Sequence, residues 1–311
     1  MKYAVLASTD LEVSQIGLGC SHLGRISALQ STRAAINLLH LASDNGITLY
    51  DTADSYTQGR SEAILGRAFK NRRDKMVLAS KAGYACSPSA AIVAKLRPVA
   101  KSVLGLLQRE SKGIGGAAKR QNFSPSYLTR AIEASLGRLG TDYLDVFQLH
   151  SPPREVIEQG DFLEPLERMK TKGAIRFYGI SCLTIQDALL CLRFPEISMV
   201  QVKISILDGE CAQELQSSLK GKRIGVLARQ PFGSGDLWRN AARYDFLAKS
   251  GGRTLAQAAL QFVLQQDYVS ATLVGTTDSK HLVSNLAALE NPPLSEDEIS
   301  RVKTLTQARG S

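Results

Sequence analysis

The feature that most limits the fold is a beat of strand and helix repeated eight times along 311 residues, with no break in composition. Short apolar runs predict strands over 16–19, 47–51, 76–81, 143–150, 175–181, 199–204, 224–228 and 271–274. Apolar residues at helical spacing predict helices over 31–44, 61–70, 125–139, 162–172, 185–193, 211–220, 254–266, 280–289 and 296–308. Asn45-Gly46, Gly173 and Gly221 supply stops, and Ser124-Pro125 supplies a start. Residues 2–13 alternate as a β-hairpin. An open, doubly wound sheet would give the same alternation. Eight repeats with polar residues at the strand C-termini favour a closed (β/α)8 TIM barrel, an α/β fold forming one domain over 1–311. Barrels of this kind keep their chemistry at the rim made by the strand C-termini. Asp51, Lys81, His150, Ser181 and Gln201 all fall there.

The net charge of +9 is concentrated. Between Tyr84 and Phe123, seven basic residues face one acid, Glu110. This insertion has almost no aromatics, so it does not read as a nucleic-acid surface. It reads as a solvated loop, as an attractor of an anionic cofactor or substrate, or as a dock for an acidic partner or carrier-bound substrate. A helix over 90–107, interrupted by Pro98, and a glycine- and alanine-rich stretch over 113–118 are expected within it. Its length suits a lid over a functional site. No window of about 18 apolar residues occurs, so no membrane span is expected. Asp10 and Glu12 come too early for a signal peptide. The five cysteines lack metal-ligand spacing, which predicts reduced thiols in a cytoplasmic protein and no metal site.

The densest chemistry lies in Leu49-Tyr50-Asp51-Thr52-Ala53-Asp54-Ser55-Tyr56. A buried strand delivers a carboxylate at its end, and a phenol follows at the expected start of the helix carried by Ser61 to Gly66. Taken singly, Asp51 reads as a cap or turn residue, Tyr56 as a half-buried aromatic, and His150 as a satisfied core histidine. Lys81 ends an apolar strand and needs a counter-charge to keep its proton. Together these residues end three successive strands or begin the loop after one, which points to function. A carbonyl that accepts hydride must have its oxygen protonated. A phenol of pKa about 10 is too weak an acid unless a cation lies beside it. Lys81 would be that cation, Asp51 would hold it, and His150 would orient the carbonyl oxygen.

These residues, with Gly17-Leu18-Gly19-Cys20, Leu149-His150-Ser151-Pro152, Ile175 to Ser181, Val200-Gln201-Val202, Gly225 to Ala228 and Val274-Gly275-Thr276-Thr277, resemble the aldo-keto reductase family along nearly the whole chain. The resemblance implies a (β/α)8 barrel that binds a nicotinamide dinucleotide in its mouth, without a metal. It implies an oxidoreductase that reduces an aldehyde or ketone to an alcohol, or the reverse, with small-molecule substrates. It assigns Asp51, Tyr56, Lys81 and His150 to catalysis, with Tyr56 as general acid. It places Ser181 and Gln201 on the nicotinamide carboxamide and Cys20 and Ser21 beside the ring. Arg229, Gln230, Pro231, Phe232, Gly233 and Gly235 would run along the pyrophosphate, and Gly275, Thr276, Thr277, His281 and Asn285 would hold the adenosine end. Cys182 replaces the family's usual asparagine, and Ile204 replaces the usual stacking aromatic. Gly275 and His281 stand where a lysine and an arginine often meet the 2′-phosphate, with Lys280 adjacent. NADP(H) is preferred by family habit, and NAD(H) is possible. The alternative role is that of a regulatory subunit that holds the cofactor with little turnover.

Overall fold

The computed structural model describes residues 1–7, 9–23, 32–84, 121–249 and 252–307. The helix over 90–107, the glycine-rich stretch over 113–118 and most of the basic insertion lie outside the described residues.

Strands β1 (Tyr3–Val5) and β2 (Glu12–Ser14) form the expected antiparallel hairpin, with Tyr3 opposite Ser14. Eight further strands follow: β3 (Ile16–Gly19), β4 (Leu49–Asp51), β5 (Val77–Ala82), β6 (Leu144–His150), β7 (Ile175–Ser181), β8 (Met199–Lys203), β9 (Gly225–Arg229) and β10 (Ala271–Val274). They close into a parallel barrel in chain order, with β10 bonded to both β9 and β3. Outside the insertion, the expected helices are present with ends shifted by a few residues. The structure adds short helices at Arg154–Gln159, Asp236–Arg239 and Ala241–Lys249 that apolar spacing did not announce.

Every barrel strand is buried on both faces, and alternation sorts its residues between two cores. Leu49, Val77, Ala79, Val146, Met199, Leu227, Ala271 and Leu273 fill the barrel interior. Their neighbours one position away, such as Tyr50, Leu78, Phe147, Tyr178, Val200 and Val226, face the surrounding helices. Leu6, Leu11 and Val13 of the hairpin join the interior cluster. The hairpin therefore plugs the end of the barrel where the strands begin. Arg176 at the start of β7 holds it there, donating to both Asp10 carboxylate oxygens at 2.8 Å. With that end sealed, the opposite rim is the open one.

The helices Arg60–Phe69 and Pro125–Leu139 cross so closely that a Cβ on Gly66 would stand 2.2 Å from the Leu139 carbonyl oxygen. A backbone carbonyl cannot step aside as a side-chain tip can. Gly66→Ala should therefore destabilise the protein by about 1–3 kcal/mol despite alanine's better helix propensity. The check is the midpoint of urea unfolding, and a midpoint at or above that of the unaltered protein would contradict the close approach.

Candidate active site

Asp51, Lys81 and His150 arrive at the rim on β4, β5 and β6. They share the inward face with Leu49, Ala79 and Val146, so alternation alone turns them into the mouth. Asp51 and Lys81 are almost fully buried, and the Lys81 Nζ donates to Asp51 Oδ2 at 2.5 Å. Gln148 and Gln201 donate their amides to the other oxygen, Oδ1, at 3.2 and 2.8 Å. The carboxylate is thus held by one cation and two amides. Burial opposes the charge of Lys81, but Asp51, and then Tyr56, outweigh it, so the ammonium's pKa lies above its ordinary value.

Tyr56 is not at the start of a helix as expected. The helix begins at Arg60, and Tyr56 precedes three consecutive left-handed residues, Thr57, Gln58 and Gly59, with φ of 48°, 58° and 81°. The loop is tied down on several sides. The Thr52 and Asp54 N–H groups donate to the Ala79 and Lys81 carbonyls of β5 at 2.8 and 2.9 Å. Thr52 also donates to Ser61, and Ser61 donates to the Cys20 carbonyl, each at 2.9 Å. Tyr127 donates to Asp54 Oδ2 at 3.2 Å. Burial, reinforced by the nearby Glu62 carboxylate, pushes the Asp54 carboxyl up to about 7. Glu62 itself is buried between Ser80 at 2.5 Å and Arg138 at 2.6 Å.

These ties bring Tyr56 to the Lys81 ammonium, which lies 5.2 Å from the centroid of its ring. The His150 ring stands edge-on to Tyr56 at 5.6 Å between centroids, with its Nδ1 3.4 Å from the Ser55 hydroxyl. Lys81 works to lower the phenol's pKa, as expected from sequence. Burial is the larger influence, however, and the net shift is upward. At neutral pH Tyr56 therefore carries its proton.

Tyr56, His150 and Asp51 line a mouth cavity of about 600 Å³, within the usual size of a small-molecule site. Ser21, Ser181, Gln201, Arg229, Gln230, Pro231, Phe232, Gly235 and Gly275, all named above as candidate cofactor contacts, also line it. Lys81 lies behind this surface against Asp51. Gly233 is buried within its loop. Thr276, Thr277, His281 and Asn285 stand outside the lining, on the turn and helix after β10. Cys20 does not face the cavity. It follows the inward-facing Gly19, so its side chain points the other way, fully buried and donating to the Leu18 carbonyl at 3.4 Å. Burial pushes its thiol pKa well up. Cys182 follows the inward-facing Ser181 and likewise turns into the helix layer, its Sγ 3.8 Å from that of Cys191. Ile204 is also outside the lining. Gln148, Ser151, Leu183 and His22 were missed as site residues. Gln148 could have been found, since it sits two positions before His150 on the same strand face.

The site can hold an extended polar ligand. Ser181 donates to Gln201 Oε1 at 3.0 Å, presenting a hydroxyl and an amide side by side. The loop from Gln230 to Gly235 offers backbone beside them. Among the described residues no cluster of histidine, cysteine or carboxylate could hold a metal ion, and no helix is long and apolar enough to cross a membrane.

A model described as the aldo/keto reductase family matches residues 15–307. The chain is 27% identical to an uncharacterised oxidoreductase, YqkF, of Bacillus subtilis, covering 99% of this chain and 97% of that protein. It is 26% identical to an NADH-specific methylglyoxal reductase of Escherichia coli, with 99% of both covered. Among solved structures it superposes on the holo form of the aldo-keto reductase AKR11C1 of Bacillus halodurans with a TM-score of 0.81, at 26% identity and covering 98% of this chain and 96% of that one. The plugged barrel, the rim constellation and this end-to-end likeness agree, and the chain belongs to the aldo/keto reductase family.

Proposed function

We propose that the chain interconverts a small aldehyde or ketone and its alcohol, with Tyr56 as the proton donor in reduction. The observation that carries this reading is the meeting of the Tyr56 phenol and the His150 imidazole at one cavity wall, with the Lys81 ammonium close behind the phenol ring. A bound nicotinamide supplies or accepts the hydride. The Tyr56 hydroxyl gives its proton to the carbonyl oxygen and becomes a phenolate, which Lys81 stabilises by charge. Asp51 keeps that lysine protonated and in place. His150 directs a ring N–H at the same oxygen and fixes the carbonyl's orientation. In oxidation the phenolate takes the alcohol proton back. Ser181 and Gln201 are the groups suited to a carboxamide, and the Gln230–Gly235 loop is suited to phosphates. The test is a panel of short aldehydes and ketones, followed by nicotinamide absorbance with NADPH and with NADH. Absence of turnover with any of them would leave only a cofactor-holding role.

NADP(H) is the expected dinucleotide, with NAD(H) accepted. One feature bears on the balance. Asp278 caps the helix Ser279–Leu286, accepting from the Lys280 and His281 N–H groups at 2.7 and 3.4 Å. Those N–H groups hold the Asp278 carboxyl pKa below its usual value, so it is charged at neutral pH. A 2′-phosphate at this helix would meet that charge, with Lys280 offsetting it. Asp278→Asn keeps the cap and removes the charge. It should strengthen NADPH binding relative to NADH by roughly two- to fivefold, the range of an exposed charge pair. An unchanged ratio of the two dissociation constants would place the 2′-phosphate elsewhere.

A further inference from the structure

A histidine that orients a carbonyl oxygen must hold its ring in one plane. The torsion that turns an imidazole is soft, so the end of β6 places the His150 Cβ without setting that plane. The Ser55 hydroxyl meets Nδ1 at 3.4 Å, a long contact that restrains one nitrogen weakly.

Two phenol rings stand perpendicular to the imidazole. Tyr56 is at 84° with 5.6 Å between centroids, and Tyr84 is at 87° and closer, at 4.8 Å. Both are edge-to-face arrangements within the range that aromatic pairs favour. Tyr84 does not line the cavity. Its contact is with the imidazole and not with the space a substrate would take.

Tyr84 is itself held, by residues at both ends of the basic insertion. It follows Gly83, where φ is 147°. A Cβ on Gly83 would stand 2.4 Å from the Phe123 ring and 3.2 Å from the His150 carbonyl oxygen, so only glycine lets the chain pass here. The Asn122 N–H donates to the Gly83 carbonyl at 2.9 Å. Gln121 pairs with Tyr84 in an antiparallel bridge, and its side-chain amide donates to the Ser151 carbonyl at 2.8 Å. Ser151 is the residue after His150, and its own N–H donates to the Ser181 carbonyl at 2.9 Å. The exits of β5 and β6 and residues 121–123 are thus tied together around one imidazole.

We propose that Tyr84 is a positioning residue for the reaction: it acts through His150, fixing the plane in which the imidazole meets the carbonyl oxygen, and Gln121 fixes Tyr84 in turn. This rests on the proposed reductase reading. The described ends of the basic insertion are then anchored at the catalytic histidine.

The experiment compares the unaltered protein with Tyr84→Ala, Tyr84→Phe and Gln121→Ala, using benzaldehyde and butanal with NADPH and with NADH. Tyr84→Ala should lower kcat by about 10- to 100-fold, the range for a catalytic group held out of line. The loss should be alike for both aldehydes and leave the dinucleotide dissociation constant where it was. Tyr84→Phe keeps the ring and should restore most of the rate, and Gln121→Ala should fall between. Tyr84→Leu, which keeps bulk without a flat ring, makes the same comparison where alanine costs the fold. In a His150→Gln background Tyr84→Ala should cost little more, because the group it positions is gone. Full additivity in that background, or a loss confined to one aldehyde, overturns the proposal and gives Tyr84 a direct contact with substrate. A second readout needs no turnover. The chain has four histidines, so the His150 ring resonances are assigned by their absence in His150→Gln. Tyr84→Ala removes a ring current beside the imidazole and should move those resonances, whereas Tyr84→Phe should leave them in place. If they do not move while aldehydes are turned over, the proposal alone falls. If the unaltered protein turns over no aldehyde, the reductase reading fails and the proposal falls with it.

Discussion

Tyr56→Phe is expected to lower kcat for carbonyl reduction by about two to four orders of magnitude, the usual weight of a positioned general acid. The change removes one oxygen and leaves the ring. The ring still packs edge-on against His150, and the Lys81 ammonium still lies beside it. The Asp51–Lys81 ion pair is not touched. Unfolding midpoint and dinucleotide affinity should therefore stay near those of the unaltered protein while turnover collapses. That split separates a proton donor from a residue that merely shapes the pocket. A variant retaining a tenth or more of the activity would mean that the proton comes from another group.

Asp51→Asn should be the most destabilising of the site changes, by about 3–5 kcal/mol where Lys81 remains charged, because it strips a buried ammonium of the only carboxylate it pairs with among the described residues. The sign of its pH dependence follows from Lys81. In the unaltered protein the folded pKa of Lys81 is raised. The stabilisation that comes with this is fully present below the unfolded value near 10.4 and is lost only as pH rises through the folded one. In the variant the opposing charge is gone, and burial, already the largest influence on Lys81, pulls the folded pKa below the unfolded value. The unfolded chain then binds the extra proton, so the variant's stability should fall as pH falls. Urea unfolding at about pH 6 and about pH 9 would read this. A penalty independent of pH, or largest in alkali, would show that Lys81 does not depend on Asp51 for its charge.

The barrel could be read from the chain because its strands are short, apolar and punctuated, and each ends in a polar residue that an apolar core would not tolerate. The catalytic candidates were readable for the same reason: Asp51, Lys81 and His150 break their runs at the point where the run leaves the core. What was not readable is what depends on register and on irregular backbone. Gln201 binds Asp51 across 150 positions of sequence, and nothing local marks that meeting. The left-handed run after Tyr56 involves threonine and glutamine, which carry no turn signal. The helices after β6 and β9 are too short to show a period. Cys20 and Cys182 could have been turned away from the cavity on strand parity alone, since each follows a residue that faces in.

The hairpin plug makes the barrel a cul-de-sac. Leu6, Leu11 and Val13 pack apolar side chains into the interior beneath the Asp51–Lys81 pair, and both members are almost fully buried. Under the proposed mechanism, a phenolate left at Tyr56 after one turnover is recharged by solvent arriving through the opening that admits substrate. Occupancy and proton resupply compete for a single doorway, and a slow-leaving product holds the enzyme discharged until it departs.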